Sequence, residues 1–433
     1  MSASVETLQG LERRLTLNLP LAEIEAEVTR RLQKLARNVK LDGFRPGKAP
    51  LKVVAGRYGA EVRGEVISDA LQNRFMSVVQ ESKIDVAGSP RFTAIEPASA
   101  DQASFSATFE VFPEIVIGDL AQIKVTRLLV DVNEADVDRT LEVLRKQRVQ
   151  YHAVERAAAN GDRVHVDYRG TVEGQPFPGG EARDFPVLLG EGRTLKDFEG
   201  ALVGLRPGES KTFEVAFPED YFAKELAGKT ATFEATVKSV HEPHLPEVDD
   251  AFAASMGVRE GGPARLREEI ADNLRREVKR RVGARVKEQV MQGLLDVTPF
   301  DVPRGLVRME QRALLERAVS DLKARGMKEQ DIRLDESVFE SQARRRVALS
   351  LLLNALAAQH AIQAEADQVR AMVDEFAQSY EDPAEVVAWY YQDASRLRDV
   401  QVLVLEENIV AWVLQRAQIS DKSTTLENLM GKA

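Results

Sequence analysis

Leu15, Leu17 and Leu19 alternate with Thr16 and Asn18, the two-residue period of a strand with one face buried, and Pro20 ends the run. The period then lengthens. Leu21, Ile24, Val28, Leu32, Leu35 and Val39 recur at three and four, which predicts a helix with one apolar stripe that reaches the stretch GFRPGKAP at 43–50. A second helix starts near Pro50, a residue suited to a first helical turn, and carries Leu51, Val54, Tyr58, Val62 and Val66. GFRPGKAP is therefore expected at the tip of a helix hairpin. Two more strands follow, Phe92 and Ala94 in RFTAI and then Phe105, Ala107, Phe109 and Val111 in SFSATFEVF. Residues 1–115 are expected to form an α+β domain.

Residues 116–150 hold a strand-like IKVTRLLV and a short charged helix, NEADVDRTLEVLRKQR, and are expected to be a connector. From 151 to 245 the pattern changes to short alternating runs with many turns: VHVDYRG, GQPFPGG, DFPVLLGEGR, RPGESKTFEVAFPEDY and TATFEATVKSV. These predict a small, twisted antiparallel sheet with one brief helical piece near Leu195 to Leu202, closed by HEPHLPEV as a proline-broken linker. Residues 246–433 are helical in pattern almost throughout. Leu266, Ile270, Leu274, Val278, Val282, Val286, Val290 and Leu294 stand at a strict spacing of four, so their row drifts around a helix of 3.6 residues per turn. Further helices are predicted over Leu306 to Leu322, Val338 to Ala361, Gln368 to Tyr380 and Pro383 to Ala417, with no solenoid period. The fold class expected is multidomain α+β: an α+β domain with a helix hairpin, an antiparallel β-sheet domain, and an all-α C-terminal domain.

Composition narrows the function. At 433 residues the chain exceeds one ordinary core, and 30% charged residues suit extensive exposed helix surface. It has no cysteine, which removes disulfides, thiolate nucleophiles and cysteine zinc sites. The opening MSASVETLQGLERRL lacks a signal-peptide pattern, and no stretch approaches the roughly 20 apolar residues of a bilayer span. A cytoplasmic protein without membrane contact is expected. A net charge of -10 disfavours general affinity for nucleic acid, and no DNA partner is expected. One local run opposes that mean: between Arg30 and Arg57 stand nine cations and a single acid, Asp42.

Candidate chemistry by ionisable groups is sparse. The five histidines include His241 and His244 beside Glu242 and Glu247, which are better explained as a solvated linker than as a metal site. No metal or cofactor is expected. GxxxxGK[ST], GxSxG and HExxH are all absent. What the middle domain offers instead is a set of rings and one leucine: Tyr168, Phe177, Phe185, Leu195, Phe198, Tyr221 and Phe233. Singly each could be core; together they could line an apolar pocket. GFRPGKAP is open in the same way: it is either a solvated turn or a basic tip whose Phe44 stacks on, or fills a notch in, a phosphate-rich partner.

Residues 161–240 resemble the FKBP-type peptidyl-prolyl isomerases, in VHVDYRG, DFPVLLGEGR, DFEGALVGLRPGE and TFEATVKSV. That resemblance implies an isomerase of X-Pro bonds whose pocket is lined by Tyr168, Phe177, Phe185, Leu195, Phe198, Tyr221 and Phe233. Phe198 stands where many members have tryptophan, and FAKELAGK replaces a longer loop. Taken with G-F-R-x-G-K between two helices and a long helical C-terminus, the whole chain resembles bacterial trigger factors. This implies a ribosome-associated chaperone in which Gly43, Phe44, Arg45, Gly47 and Lys48 dock beside the exit tunnel, on ribosomal protein and rRNA, with Pro46 at the variable position. It also implies that the C-terminal helices form a body and two arms that cradle nascent and unfolded polypeptides, and that the isomerase domain sits at one end. Two other functions fit the same residues: a free prolyl isomerase, and an RNA-binding protein that uses the basic hairpin away from the tunnel.

Overall fold

The computed structural model describes residues 5–41, 44, 50–97, 99–221, 223–378, 380 and 382–431. The chain divides into two units, residues 1–127 with 283–422 and residues 128–282 with 423–433.

The N-terminal part of the first unit pairs β1 (Val5–Thr7), β2 (Glu12–Pro20), β3 (Val86–Ile95) and β4 (Gln102–Val111) in the order β1-β2-β4-β3, all antiparallel. The alternation on β2 buries Leu15, Leu17 and Leu19, and α1 (Leu21–Asn38) lays Ile24, Val28 and Leu32 over them. Each such side chain contributes about 1.5–3 kcal/mol through burial. α2 (Leu51–Glu81) adds Val54, Val62, Val66 and Phe75, whose ring meets the edges of Phe92 at 5.9 Å and Phe109 at 5.0 Å. β5 (Lys124–Leu129) follows a single 3-10 turn, Leu120–Gln122.

In the second unit, Asn133 and Asp136 close a reciprocal capping box on α3 (Glu134–Gln147). β6 (Gln150–Val154), β7 (Arg163–Val172), β8 (Gln175–Leu188), β9 (Ser210–Ala216) and β10 (Thr230–His244) form an antiparallel sheet in the order β6-β10-β7-β8, with β9 also on β10. α4 (Lys196–Leu202) packs on it. α5 (Asp250–Ser255) and the first turns of α6 (Gly262–Val297) bury Phe252, Leu266 and Ile270 against Val137 and Leu141 of α3.

Three features depart from the sequence expectations. QYHAV at 150–154, not among the expected strands, is one. HEPHLPEV is not a linker over its first half: β10 runs on to His244, with His241 opposite Ala153 and Pro243 opposite Tyr151 of β6. Proline is tolerated because β7 pairs with β10 only as far as His241, so Pro243 lies where one side of the strand is an edge. The third departure is a break in the last long helix.

The remaining helices belong to the first unit: α7 (Arg304–Ala324), α8 (Glu340–His360), α9 (Ala366–Ala377), α10 (Pro383–Tyr391) and α11 (Ala394–Leu414). The pattern predicted one helix from Pro383, but Asp393 caps a new start by accepting the Ser395 N–H at 2.8 Å. β11 (Gln418–Ser423) pairs with β5, fastened by a two-pronged Arg127–Asp421 contact at 2.8 Å, and α12 (Leu426–Met430) ends the chain. α7 begins after Pro303 without a cap from its own side chains. Glu110 of β4 supplies one, accepting the Arg304 N–H at 3.0 Å and the Gly305 N–H at 2.6 Å. Gly88 faces Gly305 there, and its φ of +86°, in the left-handed region, is what favours glycine. Among the described residues no helix is long and apolar enough to cross a membrane.

Candidate functional site

The middle sheet brings the seven predicted pocket residues together. On β7 the inward positions are Val164, Val166, Tyr168 and Gly170, and on β10 they include Phe233 and Ala235. Phe233 faces Gly170 across one ladder and Phe213 of β9 across the other. Phe198 projects from α4 into the same space and is buried, as is Phe233. Ring centroids lie 5.4 Å apart for Tyr168 and Phe198, 5.3 Å for Phe198 and Phe233, 5.8 Å for Tyr168 and Phe233, and 5.7 Å for Tyr168 and Phe185, all edge to face. Phe177 reaches Phe233 at 6.1 Å. Tyr221 packs on the buried Phe217 at 4.8 Å, and Leu195 is half-buried against the same cluster. Phe185 is the exposed member, at 37%.

Four participants were not singled out from the sequence. Phe213 stacks on Phe233 at 6.2 Å with an interplanar angle of 19° and meets Phe198 edge-on at 5.4 Å; Phe217 backs both Phe177 and Tyr221. The alternation in TFEVAF held the signal, since Phe213, Val215 and Phe217 must share a face. Gly170 is the third: a Cβ there would fall 2.5 Å from Phe233 Cε1. Glu199, next to Phe198, is the fourth. The Phe233 ring can lie against β7 at this point because residue 170 has no side chain.

What results is a cage of rings with few polar groups. The Tyr168 hydroxyl points to the Gly179 carbonyl at 3.4 Å. Burial, and secondarily the neighbouring Tyr221, push its pKa above the ordinary phenol value, so it stays a neutral donor. Such a cage can desolvate an apolar group, and the Tyr168 hydroxyl can offer one hydrogen bond on turning from Gly179.

The hairpin tip is the other predicted site. Phe44 is 40% exposed, and its backbone N–H donates to the Leu41 carbonyl at 3.0 Å. Gly43, Arg45, Gly47 and Lys48 lie outside the described residues, as does Pro46. Along the helices that lead to it, part of the positive run is internally compensated. Arg30 and Arg31 both donate to Glu27, at 2.7 and 3.0 Å, and Arg31 also reaches Asp69 at 2.8 Å. Hydrogen bonds first from Arg30 and then from Arg31 hold the Glu27 carboxyl at about 2. Nearer the tip, Lys34, Arg37, Lys40, Lys52 and Arg57 are exposed, and none has an acidic partner within 4.0 Å among the described residues. An exposed ring thus lies in the segment between two helices whose facing ends carry cations without an acidic partner among the described residues.

The chain aligns with known families in three blocks. Residues 1–144 match the bacterial trigger factor protein, residues 154–238 the FKBP-type peptidyl-prolyl cis-trans isomerases, and residues 264–415 the C-terminus of bacterial trigger factor protein. Trigger factors of Aromatoleum aromaticum and Nitrosospira multiformis are each 49% identical to it, over 433 and 438 aligned residues that cover 100% of both chains. The trigger factor of Thiobacillus denitrificans is 48% identical over 434 residues, again covering 100% of each. A solved structure of the trigger factor chaperone aligns at 20% identity over 95% of this chain and 99% of that one, with a TM-score of 0.46. With three matches in one order and half of all positions identical from end to end, the chain belongs to the bacterial trigger factor family.

Proposed function

We propose that this protein is a cytoplasmic, ribosome-associated chaperone that meets nascent polypeptides at the exit tunnel, shields them from aggregation and isomerises their X-Pro bonds. In this reading residues 1–115 dock on the ribosome, 151–245 isomerise, and 246–433 hold clients, with 116–150 joining them. The observation that carries the docking role is Phe44, an exposed ring at a helix-hairpin tip whose nearest described cations have no acidic partner. Cations there neutralise rRNA phosphates, and the ring fills an apolar notch or stacks. Gly43, Arg45, Gly47 and Lys48 complete the contact on the family's pattern.

The isomerase role rests on the ring cage. Rotation about a peptide bond costs about 18–20 kcal/mol, largely lost amide resonance. A twisted amide has a less polar carbonyl than a planar one, so a site that strips water favours the twisted form. Tyr168, Phe177, Phe185, Leu195, Phe198, Tyr221 and Phe233 supply that dry surface, and the Tyr168 hydroxyl a donor. No general base takes part.

Co-sedimentation with ribosomes tests the docking role. Phe44→Ala with Arg45→Ala is expected to abolish binding while turnover of a proline peptide stays unchanged. Intact protein that ignores ribosomes, or a double variant that binds as well as wild type, would overturn the proposal. Equal affinity for protein-free rRNA would favour an RNA-binding protein that works elsewhere.

A further inference from the structure

Glu199 is one of the few buried charged residues among those described, with 5% of its surface exposed. No cation lies within 4.0 Å of it among the described residues. Four hydrogen bonds satisfy its charge instead. One carboxylate oxygen accepts the N–H groups of Gly190 at 2.9 Å and Gly192 at 3.2 Å; the other accepts the Thr194 N–H at 2.9 Å and the Thr194 hydroxyl at 3.0 Å. Burial alone raises the pKa of this carboxyl, but the donors of Thr194, Gly192 and Gly190 outweigh it and hold the value below the ordinary one. The group is therefore a fixed anion that gathers a loop.

That loop is the approach to the ring cage. Gly190 and Gly192 take φ values of +86° and +68°, a conformation that an unsupported chain would not hold uniquely. The loop leads directly to Leu195, which precedes α4 and gives it no side-chain cap. α4 has seven residues, too few to be stable in isolation. Its placement depends on what ties it down, and it carries Phe198, whose ring edges meet Tyr168, Phe213 and Phe233 at 5.3–5.4 Å.

We propose that Glu199 is a positioning residue of the isomerase site: its carboxylate clamps residues 190–194 and thereby sets where Leu195 and Phe198 stand, without touching the peptide. This rests on the isomerase activity proposed above. Glu199→Gln keeps the shape but replaces one acceptor oxygen with a donor, so on either side at least one backbone N–H is left facing N–H.

The test uses the full chain and a chromogenic peptide with one X-Pro bond, at a temperature where each variant is shown to be folded by circular dichroism. Glu199→Gln is expected to lower kcat/KM by about 10-fold or more, as for roughly 1 Å of misplacement, with KM raised about 3-fold. A partly unfolded sample would lower apparent kcat alone. In parallel, nuclear Overhauser contacts from the Phe198 ring to Tyr168 and Phe233 are expected to weaken. Folded Glu199→Gln with unchanged KM and unchanged ring contacts overturns the inference. If that variant does not fold, Thr194→Val, which removes one of the four donors, decides: a rise in KM of about 2-fold supports the clamp and an unchanged KM refutes it. Absence of turnover in wild type would refute the isomerase reading, and the ring contacts would still judge Glu199.

Discussion

Gly170→Ala adds one methyl group at the floor of the ring cage, and the structure says where it must go. The new carbon would lie 2.5, 2.8 and 2.9 Å from Cε1, Cζ and Cδ1 of Phe233, whereas ordinary contact begins at 3.4 Å, so the ring must retreat about 0.9 Å. It has little room. Phe233 is 5% exposed and is bounded by the edges of Tyr168, Phe177 and Phe198 and by the face of Phe213. Overpacking of this kind costs about 1–3 kcal/mol. Gly170 is not in the left-handed region, so alanine brings no backbone strain and recovers about 0.4–1 kcal/mol by restricting the unfolded chain. The net loss is about 0–2.6 kcal/mol, which lowers the Tm of a unit of this size by up to about 10 °C. Ring displacement near 1 Å also predicts a fall in isomerase turnover of up to about 100-fold. Calorimetry of the full chain reads the first quantity and proline-peptide turnover, measured below the transition, the second. A variant that matches wild type in both would refute the claim that Phe233 is held from every side.

Phe198→Ala, which empties a buried ring site at about 3–5 kcal/mol, is expected to cut isomerase turnover by about 10-fold or more in the folded protein. Suppression of aggregation of a proline-free client should persist; equal loss of both would refute separate sites. Glu110→Ala removes the acceptor for the first two N–H groups of α7 and is expected to lower the stability of the first unit by about 1–2 kcal/mol, read by thermal unfolding. Because the Glu199 carboxyl is depressed in the folded protein, its contribution is fully present above the unfolded value of about 4.3 and is lost as pH falls through the folded value. The stability gap between wild type and Glu199→Gln should therefore narrow below about pH 4 in denaturant titrations; a constant gap would contradict the shift.

Local pattern made much of the fold legible. The alternation of Leu15 to Leu19 and of Phe105 to Val111, and the three-four spacing along α1, each report one buried face, and a face is a local property. What escaped depends on partners distant in the chain. QISDKS, entirely exposed, has no strand pattern and is extended because β5 lies beside it. QYHAV and the continuation of β10 across Pro243 stabilise each other in the same way. In the ring cage the seven proposed lining residues could be named as a set, but Gly170 and Glu199 could not, since their roles follow from the ladder opposite Phe233 and from a loop folding back on α4. At the hairpin tip only Phe44 among the named residues is described, and its exposure agrees with what two flanking turn formers impose on a ring.

Neither unit is a single run of sequence: one draws on residues 1–127 and 283–422, the other on 128–282 and 423–433. During synthesis, therefore, each must wait for its later run of sequence, and the early α+β segment waits with Glu110 unpartnered until α7 has been made. Such long-range closure slows folding and prolongs exposure of sticky intermediates. A protein proposed to shield newborn chains is thus exposed to the same hazard while it is itself being made.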